Sequence, residues 1–309
     1  MSAAGTHCGF VAVLGAPNAG KSTLVNALVG SKVSIVTRKV QTTRFPLRGI
    51  AIRGDAQIIF VDTPGIFAPR RRLDRAMVAS AWKGAADADA ILVVVDAADQ
   101  SRNPRGRSAE DTERILAGLK ELGRPAAAVL NKIDALPRTA LLPLADALDK
   151  TGVFDGIFMV SALKGDGLVD LAAYCASRMP KGPWLYPADQ AADIPSRLLA
   201  AEITREKLYE RLHDELPYAS TVVTDSWKEQ KDGSLRIDQT ILVAREGQKA
   251  IVIGKGGLTI KAIGEGARHE LEEIFARPVH LFLHCKVSER WEELPIHYRE
   301  WGLEFPKDQ

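Results

Sequence analysis

The chain has 309 residues, 46% hydrophobic and 26% charged, which is the composition of an ordinary globular protein with room for two domains. Its formal net charge is +2, with −3 on residues 196–309 and +5 before them, so bulk charge gives no argument for nucleic-acid binding. The three cysteines are widely separated and the longest apolar run, Ala90–Val95, is too short to cross a bilayer, so we expect a cytoplasmic protein without disulfides, zinc or a membrane-spanning helix.

In the first half of the chain, short apolar runs alternate with helical patterns. The runs predict strands at Phe10–Leu14, Ile58–Val61, Ile91–Val95, Ala126–Leu130 and Ile157–Val160. The helical patterns predict separate helices, one that begins at Lys21 and others around Asp74–Ala86, Ala109–Leu122, Leu141–Lys150 and Leu168–Met179. Because the runs are apolar at nearly every position, we expect a mostly parallel sheet covered by helices on both faces.

Four prolines between residues 180 and 195 predict a linker over residues 181–195, because proline at that density neither continues a helix nor fits inside a sheet. The linker divides the chain into domains at residues 1–180 and 196–309. In the second domain we predict a long helix, a β-hairpin, a helix, a strand and a short closing helix. Their expected positions are Ser196–Leu216 with Ser196 as N-cap, Ala219–Gln230 paired with Ser234–Arg245, Gly257–Phe275, Pro278–Val287, and onward from Glu289.

The string GAPNAGKST follows a predicted strand and opens a predicted helix, which is the context of a phosphate-binding loop. Its glycines let backbone N–H groups converge on phosphates at the positive end of the helix. Lys21 is expected to reach the β- and γ-phosphates, and the Ser22 hydroxyl is expected to bind Mg²⁺. The candidate nucleotide ligands here are Gly15, Ala16, Pro17, Asn18, Ala19, Gly20, Lys21, Ser22 and Thr23.

The string DTPG ends a second predicted strand and adds Asp62, Thr63, Pro64 and Gly65 to the candidate site. Asp62 is placed to hold Mg²⁺ through its water shell, and the Gly65 N–H to contact the γ-phosphate. A segment that touches this phosphate is ordered with the triphosphate and released after hydrolysis.

Between these two strings lies the polar segment VTRKVQTTR, in which a threonine hydroxyl is expected to complete the Mg²⁺ shell. We favour Thr43 over Thr42 for this role. The metal ligands predicted from the sequence are therefore Ser22, Thr43 and Asp62. The other interpretation is that QTTR simply begins an edge strand.

The string NKID, residues 131–134, follows a third predicted strand end and supplies the choice of base. The Asp134 carboxylate can accept N–H bonds from guanine N1 and N2, whereas adenine has neither donor and would leave a carboxylate unpaired. Asn131 is expected to hold the phosphate loop against the base loop, and Lys132 to lie along the purine face. The later string SAL adds Ser161, Ala162 and Leu163, with the Ala162 N–H offered to guanine O6.

The hydrolytic residues depart from the arrangement in which a glutamine after DxxG orients the attacking water. That position holds Ile66, which cannot form a hydrogen bond through its side chain. Asn18 is a candidate to bind a monovalent cation beside the phosphates, and the alternative is that it only stabilises the loop. The predicted catalytic set is Lys21, Asn18, Thr43, Asp62 and Gly65.

In the second domain the string IGKGG, residues 253–257, matches the GxxG loop of KH domains, which clamps single-stranded RNA. Glycines allow bare backbone to approach phosphates, and Lys255 adds positive charge. Four basic residues against one acidic residue between positions 245 and 261 form a local basic patch. The predicted RNA-binding residues are Ile253, Gly254, Lys255, Gly256 and Gly257.

The chain resembles the Era family of bacterial GTPases. The strings that carry the resemblance are the phosphate loop with Asn18, QTTR, DTPG, NKID, the segment EITREKLYERLHDELPY (residues 202–218) and IVIGKGG. The resemblance covers nearly the whole chain, with departures in the longer arginine- and glycine-containing loop at residues 101–107 and in AADIPSRL, residues 191–198, before the second domain. It implies an α/β Ras-like P-loop GTPase domain followed by an α+β type II KH domain. Members of the family also have a residue other than glutamine after DTPG, and cation-assisted hydrolysis is known among related GTPases.

The resemblance further implies a slow, Mg²⁺-dependent GTPase that binds GTP and GDP. It also implies binding to 16S rRNA near its 3′ end and action in biogenesis of the 30S subunit. Members of the family can associate peripherally with the inner membrane. We expect a monomer, K⁺ as a candidate cofactor, and no DNA partner. The alternative is a nucleotide-gated scaffold whose second domain binds protein or membrane instead of RNA.

Overall fold

The computed structural model describes residues 5–37, 39, 41–212 and 216–306. It divides into two compact units that exchange segments of the chain. The first unit comprises Met1–Ser34, Thr43–Asp193 and Pro295–Gln309, and the second comprises Ile35–Thr42 and Ile194–Leu294. The domain boundaries that we predict from the prolines stay a prediction. A short segment from each side of the predicted linker belongs to the other unit.

A seven-stranded sheet forms the middle of the first unit. In chain order its strands are β1 (His7–Gly15), β2 (Leu47–Arg53), β3 (Ala56–Asp62), β4 (Ala90–Asp96), β5 (Ala126–Asn131), β6 (Phe154–Met159) and β7 (Ala192–Asp193). They lie in the order β6-β5-β4-β1-β3-β2-β7. All neighbours from β6 to β3 run parallel, whereas β2 is antiparallel to both β3 and β7.

Helices cover both faces of this sheet, as the continuous apolar strands predict. They are α1 (Lys21–Val29), α2 (Arg72–Asp87), α3 (Ala97–Arg102), α4 (Arg107–Leu122), α5 (Leu141–Asp149) and α6 (Leu168–Ser177). Successive side chains of a strand point to opposite faces, so Val11 packs with α1 and α6 while Ala12 packs with α2 and α4. The sheet therefore has a buried apolar layer on each side.

The functional strings meet at one edge of this sheet. GAPNAGKS, DTPG and NKID each begin at the last residue of their strand, which is β1, β3 and β5 respectively, and SAL follows β6. Because these strands are parallel, their carboxyl ends lie on the same side, where open α/β sheets bind ligands.

The second unit is a three-stranded sheet with helices against one face. In chain order it contains α7 (Ser196–Arg211), β8 (Ser220–Glu229), β9 (Leu235–Val243), α8 (Glu246–Ile253), α9 (Leu258–Phe275) and β10 (Val279–Val287). β9 lies in the middle, antiparallel to β8 and parallel to β10. Alternate residues of β9, such as Ile237 and Ile241, are fully buried against α7 and α9.

Two details of the predicted first helix of this unit are wrong. Ser196 is the first helical residue and not the N-cap, because Pro195 occupies the N-cap position with φ −59° and ψ 133°. The helix ends at Arg211, since Leu212 is extended, so it does not reach Leu216. Residues 213–215 of the predicted helix lie outside the described residues.

The proline-rich segment that we predict as a linker is bonded to the first unit over much of its length. Buried Gln57 on β3 accepts the N–H groups of Leu185 and Tyr186 at 2.8 and 3.0 Å and donates to the Tyr186 carbonyl at 2.8 Å. Further along, Asp193 accepts from Arg48 at 3.1 Å.

The C-terminal helix α10 (Pro295–Glu300) and the residues after it also belong to the first unit. Trp301 stacks on Phe45 with ring centroids 6.3 Å apart, and Lys83 donates to Glu304 at 2.7 Å.

Candidate functional site

The phosphate loop passes from β1 into α1 in a conformation that depends on glycine. Gly20 has φ +95°, in the left-handed region, and a Cβ atom there would lie 2.3 Å from Asn131 Nδ2. Lys21, the first residue of α1, is only 6% exposed, and its Nζ donates to the carbonyls of Gly15 and Ala16 at 3.2 and 3.0 Å. The loop thus curls around the ammonium group, which faces the position predicted for the phosphates.

Burial lowers the pKa of Lys21 to about 8, with the opposing attraction of Asp62 too weak to restore it. A buried ammonium without a full counter-charge is unstable, and a phosphate chain is the natural partner for it. The electrostatics of the loop therefore favour a polyanionic ligand.

Ser22, Thr43 and Asp62 form a compact oxygen cluster next to this lysine. Asp62 Oδ2 accepts from Ser22 Oγ at 2.7 Å and from Thr43 Oγ1 at 3.3 Å, and the two hydroxyls are 2.9 Å apart. Asp62 is fully buried, and burial raises the pKa of its carboxyl despite the hydrogen bonds from Ser22. Its Oδ1 atom is buried with no hydrogen-bond partner among the described residues. Mg²⁺ prefers oxygen ligands and keeps several of its waters, so this cluster of side-chain oxygens fits a hydrated Mg²⁺ ion.

The two neighbouring threonines face different surroundings. Thr43 contributes to the oxygen cluster, whereas the Thr42 hydroxyl lies 2.6 Å from the Thr37 hydroxyl and donates to the Lys39 carbonyl at 2.7 Å. This arrangement favours Thr43 over Thr42 as the metal ligand.

The DTPG segment lies against the phosphate loop. Thr63 donates to the Val13 carbonyl at 2.7 Å, and a Cβ atom on Gly65 would lie 3.0 Å from the Pro17 ring. Pro64 is buried between them, and the Ile66 N–H donates to the Gly15 carbonyl at 3.1 Å. The Ile66 side chain is fully buried in the apolar layer around α2 and does not face the site.

Asn131 ties the phosphate loop to the base loop. Its Nδ2 donates to the Ala19 carbonyl at 2.9 Å, and its Oδ1 accepts the Ala162 N–H at 3.0 Å. The Ala162 N–H, which we predict to face guanine O6, is thus directed to Asn131 in this structure.

The acceptor expected to read the base is held by a serine. Asp134 Oδ1 accepts from Ser161 Oγ at 2.6 Å, while the Lys164 N–H donates to the same hydroxyl at 3.1 Å. Leu163, which precedes Lys164 in the chain, is 75% exposed. The second carboxylate oxygen of Asp134 is therefore presented in a fixed orientation.

Lys132 spans the site and has a partner that the sequence reasoning missed. Its Nζ donates to the Asn18 carbonyl at 2.7 Å and to the Asp96 carboxylate at 2.5 Å. Asp96 ends β4, so an acidic residue after the run AILVVV at a strand end was the available signal. Asn18 itself is exposed with φ +62°, a left-handed conformation that asparagine tolerates better than most residues.

In the second unit, the predicted RNA loop lies between α8 and α9. Gly254, Gly256 and Gly257 all have positive φ, at +74°, +61° and +78°. A Cβ atom on Gly254 would lie 2.1 Å from Thr259 Oγ1, whereas Gly256 and Gly257 have open space on that side. Lys255 is exposed and Ile253 half-buried, so the loop presents bare backbone and one ammonium group to solvent.

Family models match both units. The family described as 50S ribosome-binding GTPase matches residues 10–132, and the family described as KH domain matches residues 215–292. GTPase Era of Caulobacter vibrioides is 58% identical over 307 residues, which cover 97% of each chain. GTPase Era of Maricaulis maris is 55% identical over 312 residues, which cover 99% of each chain. The chain belongs to the Era family of GTPases.

Two solved Era structures are similar to this chain over nearly its whole length. An Aquifex aeolicus Era variant bound to GDP and AlF4⁻ is 40% identical with a TM-score of 0.88, covering 96% of this chain and 99% of that one. Era in complex with MgGDPNP and nucleotides 1506–1542 of 16S ribosomal RNA is 41% identical with a TM-score of 0.89 and the same coverage. This Era-family chain is an enzyme that hydrolyses GTP, with a Ras-like GTPase domain and a C-terminal KH domain, which confirms the fold and activity predicted from the sequence.

No helix within the described ranges is both long enough and apolar enough to span a bilayer.

Proposed function

We propose that this Era-family GTPase is a switch that binds 16S rRNA near its 3′ end when GTP is bound and acts in biogenesis of the 30S subunit. The relative solved with nucleotides 1506–1542 of 16S rRNA supports this, since it matches over 96% of the chain. The observation that carries the proposal is the left-handed glycine loop at Gly254–Gly257, where bare backbone and Lys255 face solvent.

For the nucleotide, we propose that Asp134 selects guanine. Because Ser161 already occupies one position on Oδ1, the remaining acceptor positions of the carboxylate receive the N1 and N2 hydrogens of the base. Adenine lacks both donors and leaves the carboxylate unpaired, a penalty of about 1–3 kcal/mol per lost bond. Asn131 supports this choice by fixing the base loop on the phosphate loop through Ala19.

The oxygen cluster of Ser22, Thr43 and Asp62 would hold Mg²⁺, as the MgGDPNP in a relative supports. When bound, the ion supplies charge that neutralises the phosphate oxygens during transfer. Lys21 would exchange its two carbonyl partners for the β- and γ-phosphates, and Gly65 would offer its N–H to the γ-phosphate. These groups would orient the triphosphate.

Ile66 cannot orient the attacking water, because its side chain is apolar and is buried in the core. We propose that Asn18 binds K⁺ beside the phosphates through its side-chain oxygen, in the role that an arginine finger has elsewhere. Its exposed position and left-handed backbone at the front of the loop support this role. The other interpretation, a loop-stabilising asparagine, predicts no dependence on the cation.

A titration of labelled single-stranded RNA from the 3′ end of 16S rRNA tests the proposed function. The affinity of the protein for this RNA would be measured in the presence of GDP, in the presence of a non-hydrolysable GTP analogue, and without nucleotide. We expect tighter RNA binding in the analogue state, and by linkage tighter analogue binding with RNA present.

Absence of RNA binding in every state would favour the alternative of a nucleotide-gated scaffold for protein or membrane. For location, family membership leads us to propose a cytoplasmic protein that associates peripherally with the inner membrane. Sedimentation with anionic vesicles checks this association.

A further inference from the structure

The segment that leads to Thr43 is built into the second unit. Residues Ile35–Thr42 belong to that unit although the chain on both sides belongs to the first. Ile35 is 2% exposed and packs in the same apolar cluster as Ala200 on α7. The Val36 N–H donates to Glu206 Oε1 at 2.8 Å, so α7 fixes the beginning of the segment.

Arg205, also on α7, fixes the end of the segment. Its guanidinium is 1% exposed, lies over the Tyr209 ring at 5.0 Å, and donates from Nε to Glu202 Oε1 at 2.8 Å. From Nη2 it donates to the Thr42 carbonyl at 2.5 Å. Nη2 also donates to Glu202 Oε2, so the carboxylate holds the guanidinium through two nitrogens. A buried, planar guanidinium held in this way and bonded to a main-chain oxygen is a fixed anchor.

The carbonyl of Thr42 and the N–H of Thr43 belong to one planar peptide group. A donor that fixes the Thr42 oxygen therefore fixes the plane from which Thr43 continues. The Thr43 hydroxyl lies 2.9 Å from Ser22 Oγ and 3.3 Å from Asp62 Oδ2, so a small rotation of that plane removes it from the oxygen cluster.

We propose that Arg205 is a positioning residue for the nucleotide site, which holds Thr43 ready for Mg²⁺ and the triphosphate. The proposal rests on the proposed role of Thr43. It gives α7 of the KH domain direct control over a ligand of the GTPase reaction.

Three variants test this role. Arg205→Met removes the donor. Glu202→Leu with Arg205→Met removes the whole buried ion pair, a replacement that proteins often accept without loss of stability. Arg205→Lys keeps the buried charge beside Glu202 but removes the planar fork. Arg211→Met, at the exposed end of the same helix, is the matched control.

The measurements are the Mg²⁺ concentration at half-maximal GTP hydrolysis and the ratio of affinities for a GTP analogue and GDP. We expect all three variants to raise the Mg²⁺ midpoint and lower the analogue-to-GDP ratio about tenfold. Affinity for GDP stays within twofold of the parent protein, which shows that the phosphate loop is intact. The Arg211→Met control has the parent values.

An unchanged Mg²⁺ midpoint and affinity ratio in either Glu202→Leu/Arg205→Met or Arg205→Lys would overturn the inference. Thr43→Ala separates this outcome from a failure of the proposed function. If Thr43→Ala also changes neither quantity, the role of Thr43 is wrong. If it changes both, adding Arg205→Met to it should have no further effect, because the two residues act through one hydroxyl.

Discussion

Lys21 gives the prediction whose size follows most directly from the structure. Its pKa is lowered to about 8 by burial. Bound phosphates place negative charge beside the ammonium and raise its pKa again. Binding at high pH therefore requires uptake of a proton, and the affinity for nucleotide must fall as the pH rises through the lower pKa.

The expected change can be worked out from that value. With a pKa of about 8, roughly nine-tenths of Lys21 is charged at pH 7 and roughly one-tenth at pH 9. The dissociation constant for GDP should therefore rise about tenfold between these pH values, which is about 1.4 kcal/mol. At pH 9 the binding reaction should take up about 0.9 proton.

Isothermal titration calorimetry gives both quantities when it is repeated in buffers of different ionisation enthalpy. Lys21→Arg is the matched control, because a guanidinium stays charged throughout this range. The decline that remains in this variant measures titration of the base and other groups. Equal pH dependence in the parent protein and in Lys21→Arg would refute the reasoning.

Three further perturbations test separate parts of the account. Lys255→Asp with Gly256→Asp should abolish RNA binding, because it places two negative charges on the loop. Filter binding should show unchanged GTP affinity in this variant, and retained RNA binding would contradict the assignment of the loop. GTP hydrolysis should be several-fold faster in K⁺ than in Na⁺, and Asn18→Ala should remove the difference; equal rates in the parent protein would end the cation role. Gly20→Ala should weaken GTP binding at least about tenfold, because it adds about 1–2 kcal/mol of left-handed strain and places a Cβ atom 2.3 Å from Asn131 Nδ2; near-parental affinity would show that the loop relaxes.

The GTPase domain could be predicted in detail because its signals are local. Each strand of the parallel part of the sheet is a short apolar run, and each functional string follows such a run directly. The antiparallel strand β2 was missed because its sequence, LRGIAIR, mixes charged and apolar residues as expected for a strand near a sheet edge. Helix α8 was missed because only one of its residues, Val252, is buried.

The exchange of segments between the two units could not be predicted. Ile35 is buried by residues more than 160 positions away in the sequence, and nothing in its neighbourhood marks that partner. The same holds for Trp301, which stacks on Phe45. Proline density marks the end of helical structure after α6, but it does not reveal that Gln57 binds the segment to β3 or that β7 within the segment pairs with β2.

Within the site, residue types indicated which side chains lie together better than they indicated the hydrogen-bond partners of those side chains. The side chains of Ser22, Thr43 and Asp62 come together as an oxygen cluster, with Asp62 at the end of β3, Ser22 in the first turn of α1 and Thr43 in the segment before β2. By contrast, the Ala162 N–H is directed to Asn131, and Lys132 is paired with Asp96. Such pairings depend on side-chain geometry that a linear pattern does not contain.

Recognition of guanine by Asp134 is the central claim, and a base swap tests it most directly. In Asp134→Asn the amide of the new side chain faces the N1 and N2 hydrogens, whereas xanthine offers an oxygen at position 2. Equilibrium binding of GTP and xanthosine triphosphate should be measured for the parent protein and for the variant. We expect GTP affinity to fall at least about thirtyfold, which is two lost bonds at about 1 kcal/mol each, and xanthosine triphosphate to become the preferred ligand. Unchanged GTP affinity with no gain for xanthosine triphosphate would contradict the account.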